Sequence, residues 1–233
     1  EKRGCRGTGV PFVVFQSPNR AMRPMRIDRE DRIMFREITR DDVYRIETQR
    51  LWLRWPKLND APAIASALAD RRISEMTSRI PHPYPEGQAE PYVFSTREAN
   101  HEGKSLGLVI APKPKPQSVI GAMSLTTVDT DPTRLTLGYW IAVSHWGKGF
   151  ASEAAFSMIQ AGFSLSKAEA IDATVKPENT ASKRILAKIG FQERGRESRF
   201  MPARQREEVV DCYRLTRVEW RNGGAWSGFG AAA

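Results

Sequence analysis

Along the chain, apolar positions fall into runs whose period alternates between two and about 3.6. Leu51, Leu53 and Trp55 alternate with Arg50, Trp52 and Arg54, which predicts a first strand. Ala61, Ile64, Ala65 and Leu68 then recur at helical spacing, with Asp60 as a candidate cap and Pro62 tolerated in the first turn. A second helix is predicted over Arg71 to Ser78 and a third over Pro85 to Asn100, separated by the stiff loop Arg79-Ile-Pro-His-Pro-Tyr-Pro85. Strands Ser105–Ala111 and Ser118–Thr127 follow. A central strand comes next, with Leu135, Leu137, Tyr139, Ile141 and Val143 on one face. The short connections make these strands an antiparallel meander.

After the central strand the pattern changes at Gly147-Lys148-Gly149. From Phe150 onward, Ala151, Ala154, Ala155, Met158, Gly162 and Leu165 predict a long helix. Ile171, Ala173 and Val175 form a strand parallel to the central one, closing a right-handed βαβ unit. A helix over Thr180–Ile189, with Ala181, Ile185, Leu186 and Ile189 inward, has Asn179 as a possible cap and Gly190 as its stop. Strands Phe191–Arg199 and Glu208–Thr216 complete the set. The expected fold class is α+β: one mixed, mostly antiparallel twisted sheet of about seven strands with helices on both faces.

Strand, glycine turn, helix is a geometry that offers free backbone N–H groups and the positive end of a helix dipole to an anion, usually a phosphate. Two nucleotide readings of the glycines fail. Gly147 to Ser152 half-matches a dinucleotide fingerprint, but Ser152 stands where the third glycine belongs, and that fingerprint opens its fold whereas here strands precede it. Gly103-Lys104-Ser105 imitates the end of a P-loop, yet Glu98 occupies the required upstream glycine position.

Gly138-Tyr-Trp-Ile-Ala142 and Trp146-Gly-Lys-Gly-Phe-Ala-Ser-Glu-Ala154 resemble the acetyl-CoA-binding motif of the GNAT superfamily of N-acetyltransferases. They are most similar to the branch, RimJ and RimL among it, that acetylates ribosomal-protein N-termini. Trp146 departs from the Gln or Arg of the general pattern. Asn179-Thr-Ala-Ser182 with Ile189-Gly-Phe191 resembles a second motif, and the likeness covers about Glu47 to Trp220. The resemblance implies a sheet splayed at its central parallel pair and acetyl-CoA as co-substrate, with no metal. It places the diphosphate on the N–H groups of Trp146, Gly147, Lys148, Gly149, Phe150 and Ala151. The pantetheine arm lies along Ile141 and Val143, an amide of Ala142 or Val143 faces the developing oxyanion, and Asn179 either meets the pantetheine or caps its helix. Ser182 is the candidate general acid toward the leaving thiolate, or a hydroxyl that merely satisfies backbone. Glu197 and Asp211 are candidate bases, though surface carboxylates are common. The loop carrying His82 and Tyr84 faces the acceptor or simply packs.

An N-terminal amine has a pKa of about 8, against about 10.4 for lysine, so it needs only a weak or water-relayed base. On the resemblance to that branch alone, the preferred acceptor is a protein N-terminal amine, for example of a ribosomal protein. A polyamine or aminoglycoside, and a CoA-binding regulatory domain without turnover, are the alternatives. Arg79, Arg194, Arg196 and Arg199 near the expected groove argue mildly against polycations.

Composition adds bounds. Of 233 residues, 40% are hydrophobic and 27% charged, ordinary for a globular protein, and no apolar run approaches a membrane span. Cys5 and Cys212 suggest neither a disulfide framework nor a zinc site, which is consistent with a reducing cytoplasm. The net charge is +9. Lys2, Arg3, Arg6, Arg20, Arg23 and Arg26 against Glu1 alone give +5 of it within residues 1–27. The organisation expected is a basic, mostly disordered or extended leader over 1–44, a catalytic domain over 45–220 and a flexible tail over 221–233. The leader is a plain tail, a transit peptide or an RNA- or ribosome-facing arm. No specific nucleic-acid site and no membrane contact are expected, and the protein is a monomer or a homodimer.

Overall fold

The structure is a computed structural model that describes Phe35 and residues 44–223. The expected leader and tail therefore lie almost wholly outside the described residues. One sheet runs through the molecule. Its strands are β1 (Arg45–Glu47), β2 (Leu51–Arg54), β3 (Ser105–Pro112), β4 (Gly121–Val128), β5 (Asp131–Ile141), β6 (Ala170–Val175), β7 (Gln192–Met201) and β8 (Arg206–Thr216). Their order is β1-β2-β3-β4-β5-β6-β8-β7. Every neighbouring pair is antiparallel except β5 and β6. The eighth strand, against about seven expected, is β1, three residues long and bearing two charges, too short to show a period.

The helices are α1 (Ala61–Leu68), α2 (Arg71–Glu75), α3 (Ala89–His101), α4 (Phe150–Leu165), α5 (Thr180–Ile189) and α6 (Arg217–Arg221). Side chains alternate across a strand, so β5 serves two cores at once. Leu135, Leu137 and Ile141 join α4 and α5 in one cluster with β2, β3, β6 and β8. Trp140, on the opposite face, packs with Ala61, Ile64, Leu68, Ile73 and Val93 of α1, α2 and α3. At the α4 interface Gly162 lets helix and sheet touch, since a Cβ there would stand 2.4 Å from Leu125 Cδ1.

Several local expectations are corrected. Asp60 does not cap α1 through its side chain. Its buried carboxylate takes two 2.8 Å hydrogen bonds from Arg54 and one of 2.7 Å from the Lys57 N–H, tying the end of β2 to the following turn. Asp70 instead caps α2, accepting from the Arg72 N–H at 3.0 Å. That helix ends at Glu75 rather than Ser78. Helix α3 starts at Ala89, not Pro85, because residues 85–88 close a turn in which the Gln88 N–H reaches Pro85 O. Ala181 is exposed rather than inward. Asn179 does cap α5, its Oδ1 accepting from the Ser182 N–H at 3.1 Å.

Candidate functional site

The site is built where β5 leaves its parallel neighbour. β5 and β6 pair only at Arg134–Thr136 with Ala170–Asp172, and beyond that the two strands diverge. In an antiparallel ladder alternate residues direct N–H and C=O to the same side. Ala142 donates to Ile120 O of the strand β4 side at 2.8 Å. Trp140 and Gly138 share that direction, so Tyr139 and Ile141 turn their N–H groups toward the opening.

β5 ends at Ile141, so Val143 lies not in the strand but in a single 3-10 turn, Val143–His145. The chain turns there because His145 and Trp146 donate to Ala142 O and Val143 O. Two expected contacts are thereby lost: the Ala142 and Trp146 amides are spent on carbonyls of the protein. Among the described residues no main-chain carbonyl takes the N–H of Val143, Gly147, Lys148, Gly149, Phe150 or Ala151. Gly147 and Gly149 hold φ of 74° and 78°, the left-handed region that glycine adopts without strain, and these angles turn successive amides outward at the start of α4. Such an array fits a diphosphate. Trp146 itself is half exposed, and its indole Nε1 donates to Ile141 O at 2.7 Å, taking the carbonyl of a residue expected to face pantetheine. The Lys148 ammonium bonds Ser144 O at 2.8 Å instead of standing free over the loop.

Ser182 sits across the opening from β5. Tyr139 donates from its hydroxyl to Ser182 Oγ at 3.1 Å, leaving the serine proton free to be donated. Burial raises the Tyr139 phenol above its ordinary pKa, against a smaller opposing effect of the Ser182 bond, so it stays protonated at neutral pH. Neither candidate base gains support. Asp211 is buried, held by the Lys183 ammonium and by Arg196 Nε at 2.6 Å. The Lys183 bond, opposed by burial and helped by Arg196, holds its carboxyl below the usual range, which makes it a poor proton acceptor. Glu197 is exposed and paired with Arg199. In the proline loop, Tyr84 packs against the second apolar cluster while His82 is exposed.

The arginines expected to make the groove basic are largely neutralised. Arg194 pairs with Glu219 at 3.1 Å, Arg196 with Asp211 and Arg199 with Glu197, so their argument against polycations weakens. A hollow of about 200 Å³ lined by Arg134, Asp172, Arg196, Glu197, Cys212 and Arg214 lies on the outer face of β6, β8 and β7 and contains none of the loop residues.

Three participants escaped sequence reasoning. Tyr139 stands in the central strand and in the motif that resembles the acetyl-CoA site, but the sequence gives it no role of its own. Arg50 and Glu153 are 103 positions apart, and nothing in their spacing joins them, yet Arg50 Nε meets Glu153 Oε2 at 2.7 Å beside the glycine loop.

Known proteins agree with this architecture. Residues 50–192 match the Acetyltransferase (GNAT) domain family. The "Uncharacterized N-acetyltransferase p20" of Bacillus licheniformis is 30% identical over 172 residues, 74% of this chain and 94% of that protein. Among solved structures, Mycobacterium smegmatis RimJ in complex with CoA-disulfide superposes with a TM-score of 0.66 at 21% identity, over 78% of this chain and 90% of that one. The ribosomal-protein-S5-alanine acetyltransferase from Vibrio fischeri gives 0.65 at 21%, over 76% and 98%. A sheet opened at one parallel pair, a glycine loop at the mouth and a sequence match across more than half the chain lead to one assignment: this chain belongs to the GNAT acetyltransferase family and is an N-acetyltransferase.

Proposed function

We propose that the protein moves the acetyl group of acetyl-CoA to a protein N-terminal amine by direct attack within a ternary complex. The observation that carries this reading is the run of amides from Gly147 to Ala151 without main-chain acceptors, at the mouth of the β5–β6 opening. Acetyl-CoA supplies an activated thioester, so the protein has to position it and manage protons. Gly147, Lys148, Gly149, Phe150 and Ala151 bind the diphosphate through backbone. The N–H groups of Tyr139 and Ile141 border the path of the pantetheine. The Val143 amide, not that of Ala142, faces negative charge developing on the acetyl oxygen, a contact worth about 3 kcal/mol. Ser182, oriented by Tyr139, gives a proton to the departing sulfur, and Asn179 fixes the helix that carries it.

The amine acceptor is proposed on two supports: RimJ and a ribosomal-protein-S5-alanine acetyltransferase share this fold, and an N-terminal amine with a pKa near 8 is readily deprotonated without a strong base. Purified protein is incubated with isotopically labelled acetyl-CoA and a panel of ribosomal-protein N-terminal peptides, polyamines and aminoglycosides, and products are read by mass spectrometry. Label on a peptide α-amine is expected, and Ser182→Ala lowers kcat about 10²-fold. Label confined to small amines overturns the acceptor, and CoA binding without any product overturns catalysis.

A further inference from the structure

The loop between β5 and α4 is braced from behind by the turn between β1 and β2. Glu153, in the first turn of α4, is only 8% exposed. Its Oε1 accepts from Thr48 Oγ1 at 2.6 Å and from the Arg50 N–H at 2.7 Å, and its Oε2 accepts from Arg50 Nε at 2.7 Å. Burial pushes the Glu153 carboxyl up, but these bonds outweigh it and hold the group below its ordinary pKa, so it is ionised at neutral pH. With Nε so anchored, Arg50 extends Nη1 to Lys148 O at 3.0 Å and lays its guanidinium over the Phe150 ring, 4.7 Å from the centroid. A side chain at position 149 would stand 3.3 Å from Arg50 Nη2, so the guanidinium fills the space behind the loop.

In a planar trans peptide the C=O and the next N–H point in opposite directions. Holding Lys148 C=O against Arg50 therefore aims the Gly149 N–H away from the brace, to the loop's outer side. Glu153 would by itself place a negative charge beside an anion site, and Arg50 cancels it.

We propose that Arg50, seated by Glu153 and Thr48, is a positioning residue that orients the Gly147–Ala151 amides toward the diphosphate of CoA. This rests on the reading that those amides bind CoA. Lysine keeps the charge of arginine but lacks the planar fork that spans Glu153 and Lys148 O together, which separates orientation from simple attraction.

Isothermal titration of the 233-residue chain with CoA, and steady-state kinetics with acetyl-CoA and with acetyl-pantetheine, form the test. Arg50→Lys and Arg50→Gln are expected to weaken CoA binding about 10- to 100-fold. The KM for acetyl-CoA rises in step, while kcat at saturation and the KM for the acceptor stay within about twofold. Use of acetyl-pantetheine, which has no diphosphate, stays unchanged. Glu153→Gln removes the seat together with the charge, so its loss is smaller, and Arg50→Gln combined with Glu153→Gln binds better than Arg50→Gln alone. Thermal unfolding of Arg50→Lys keeps a wild-type midpoint. Equal CoA affinity in wild type and both Arg50 variants overturns the inference, as does an equal loss with acetyl-pantetheine or full rescue by lysine. Wild type that fails to bind CoA overturns the underlying reading as well.

Discussion

β3 and β7 belong to the same sheet and are held in opposite ways. β3 is buried along all but its last residue, with helices on both faces and strands on both edges. β7 is an edge strand exposed from Gln192 to Phe200 and buried only at Met201. Apolar packing holds the first. The second relies on its ladder with β8 and on the pairs of Arg194 with Glu219 and Arg196 with Asp211, and the strands beside it carry further ion pairs: Asp211 with Lys183, Glu208 with Lys176, Arg204 and Arg206, and Asp172 of β6 with Arg134 and Arg214. The glycine loop hangs from the apolar half through β5 and α4. The β7–β8 hairpin meets that half through Tyr213 and Leu215 of β8, which enter the first apolar cluster, and through Arg204, which donates to Ser74 O at 2.9 Å and to Thr77 O. A rigid seam next to an ionic arm implies that packing mutations and charge mutations should separate cleanly.

The largest effect belongs to the seam. Leu125, fully buried where Gly162 lets α4 approach, loses about 3 kcal/mol on substitution by alanine. Val209, 53% exposed on β8 of the arm, loses no more than about 0.5 kcal/mol on the same change. Urea unfolding of the two variants measures the contrast, and equal losses would erase the distinction between the halves.

A smaller effect comes from the arm's charges. The Lys176 hydrogen bond, opposed by burial and helped by Arg206 and Arg204, lowers the Glu208 carboxyl from 4.5 to about 2. A depressed folded-state pKa adds stability above the unfolded value, and that stability is lost as the folded carboxyl takes up its proton. The contribution of Glu208 is therefore complete above pH 4.5 and fades as pH falls toward about 2. Thermal midpoints of wild type and Glu208→Gln should differ at pH 6 and converge toward pH 2. A constant gap across that range would mean that the pair contributes nothing through its charge.

The contrast between the halves also governs what could be read without coordinates. Elements whose apolar residues repeat at the period of their geometry were legible: α4 and α5 do so at helical spacing, and β5 alternates from Leu135 to Ile141. The glycine loop was legible because positive φ selects glycine. β1 was not, since three residues carry no period, and the end of β5 was misplaced because Val143 continues the alternation although the chain has already turned. The Arg50–Glu153 brace and the Tyr139–Ser182 bond join residues far apart in sequence, and no local pattern records such pairings. Asp211 looked like a free carboxylate only because Lys183 and Arg196 lie on other elements.

Glu197 offers the smallest expected effect and the sharpest discrimination. The family resemblance made it a candidate base, yet its carboxylate is exposed and paired with Arg199 on the same edge strand. A general base contributes about 10²- to 10⁴-fold to rate, whereas an exposed ion pair contributes no more than about 1 kcal/mol to stability. Glu197→Gln keeps the shape and some hydrogen bonding of the side chain while removing its ability to take a proton. Because an N-terminal amine with a pKa near 8 is already partly neutral at pH 7.5, kcat/KM for a peptide acceptor should stay within about twofold of wild type, with no change in its pH profile. A loss of 10²-fold, recovered as pH rises and the amine deprotonates unaided, would instead make Glu197 the proton acceptor and bring the ionic arm into the chemistry itself.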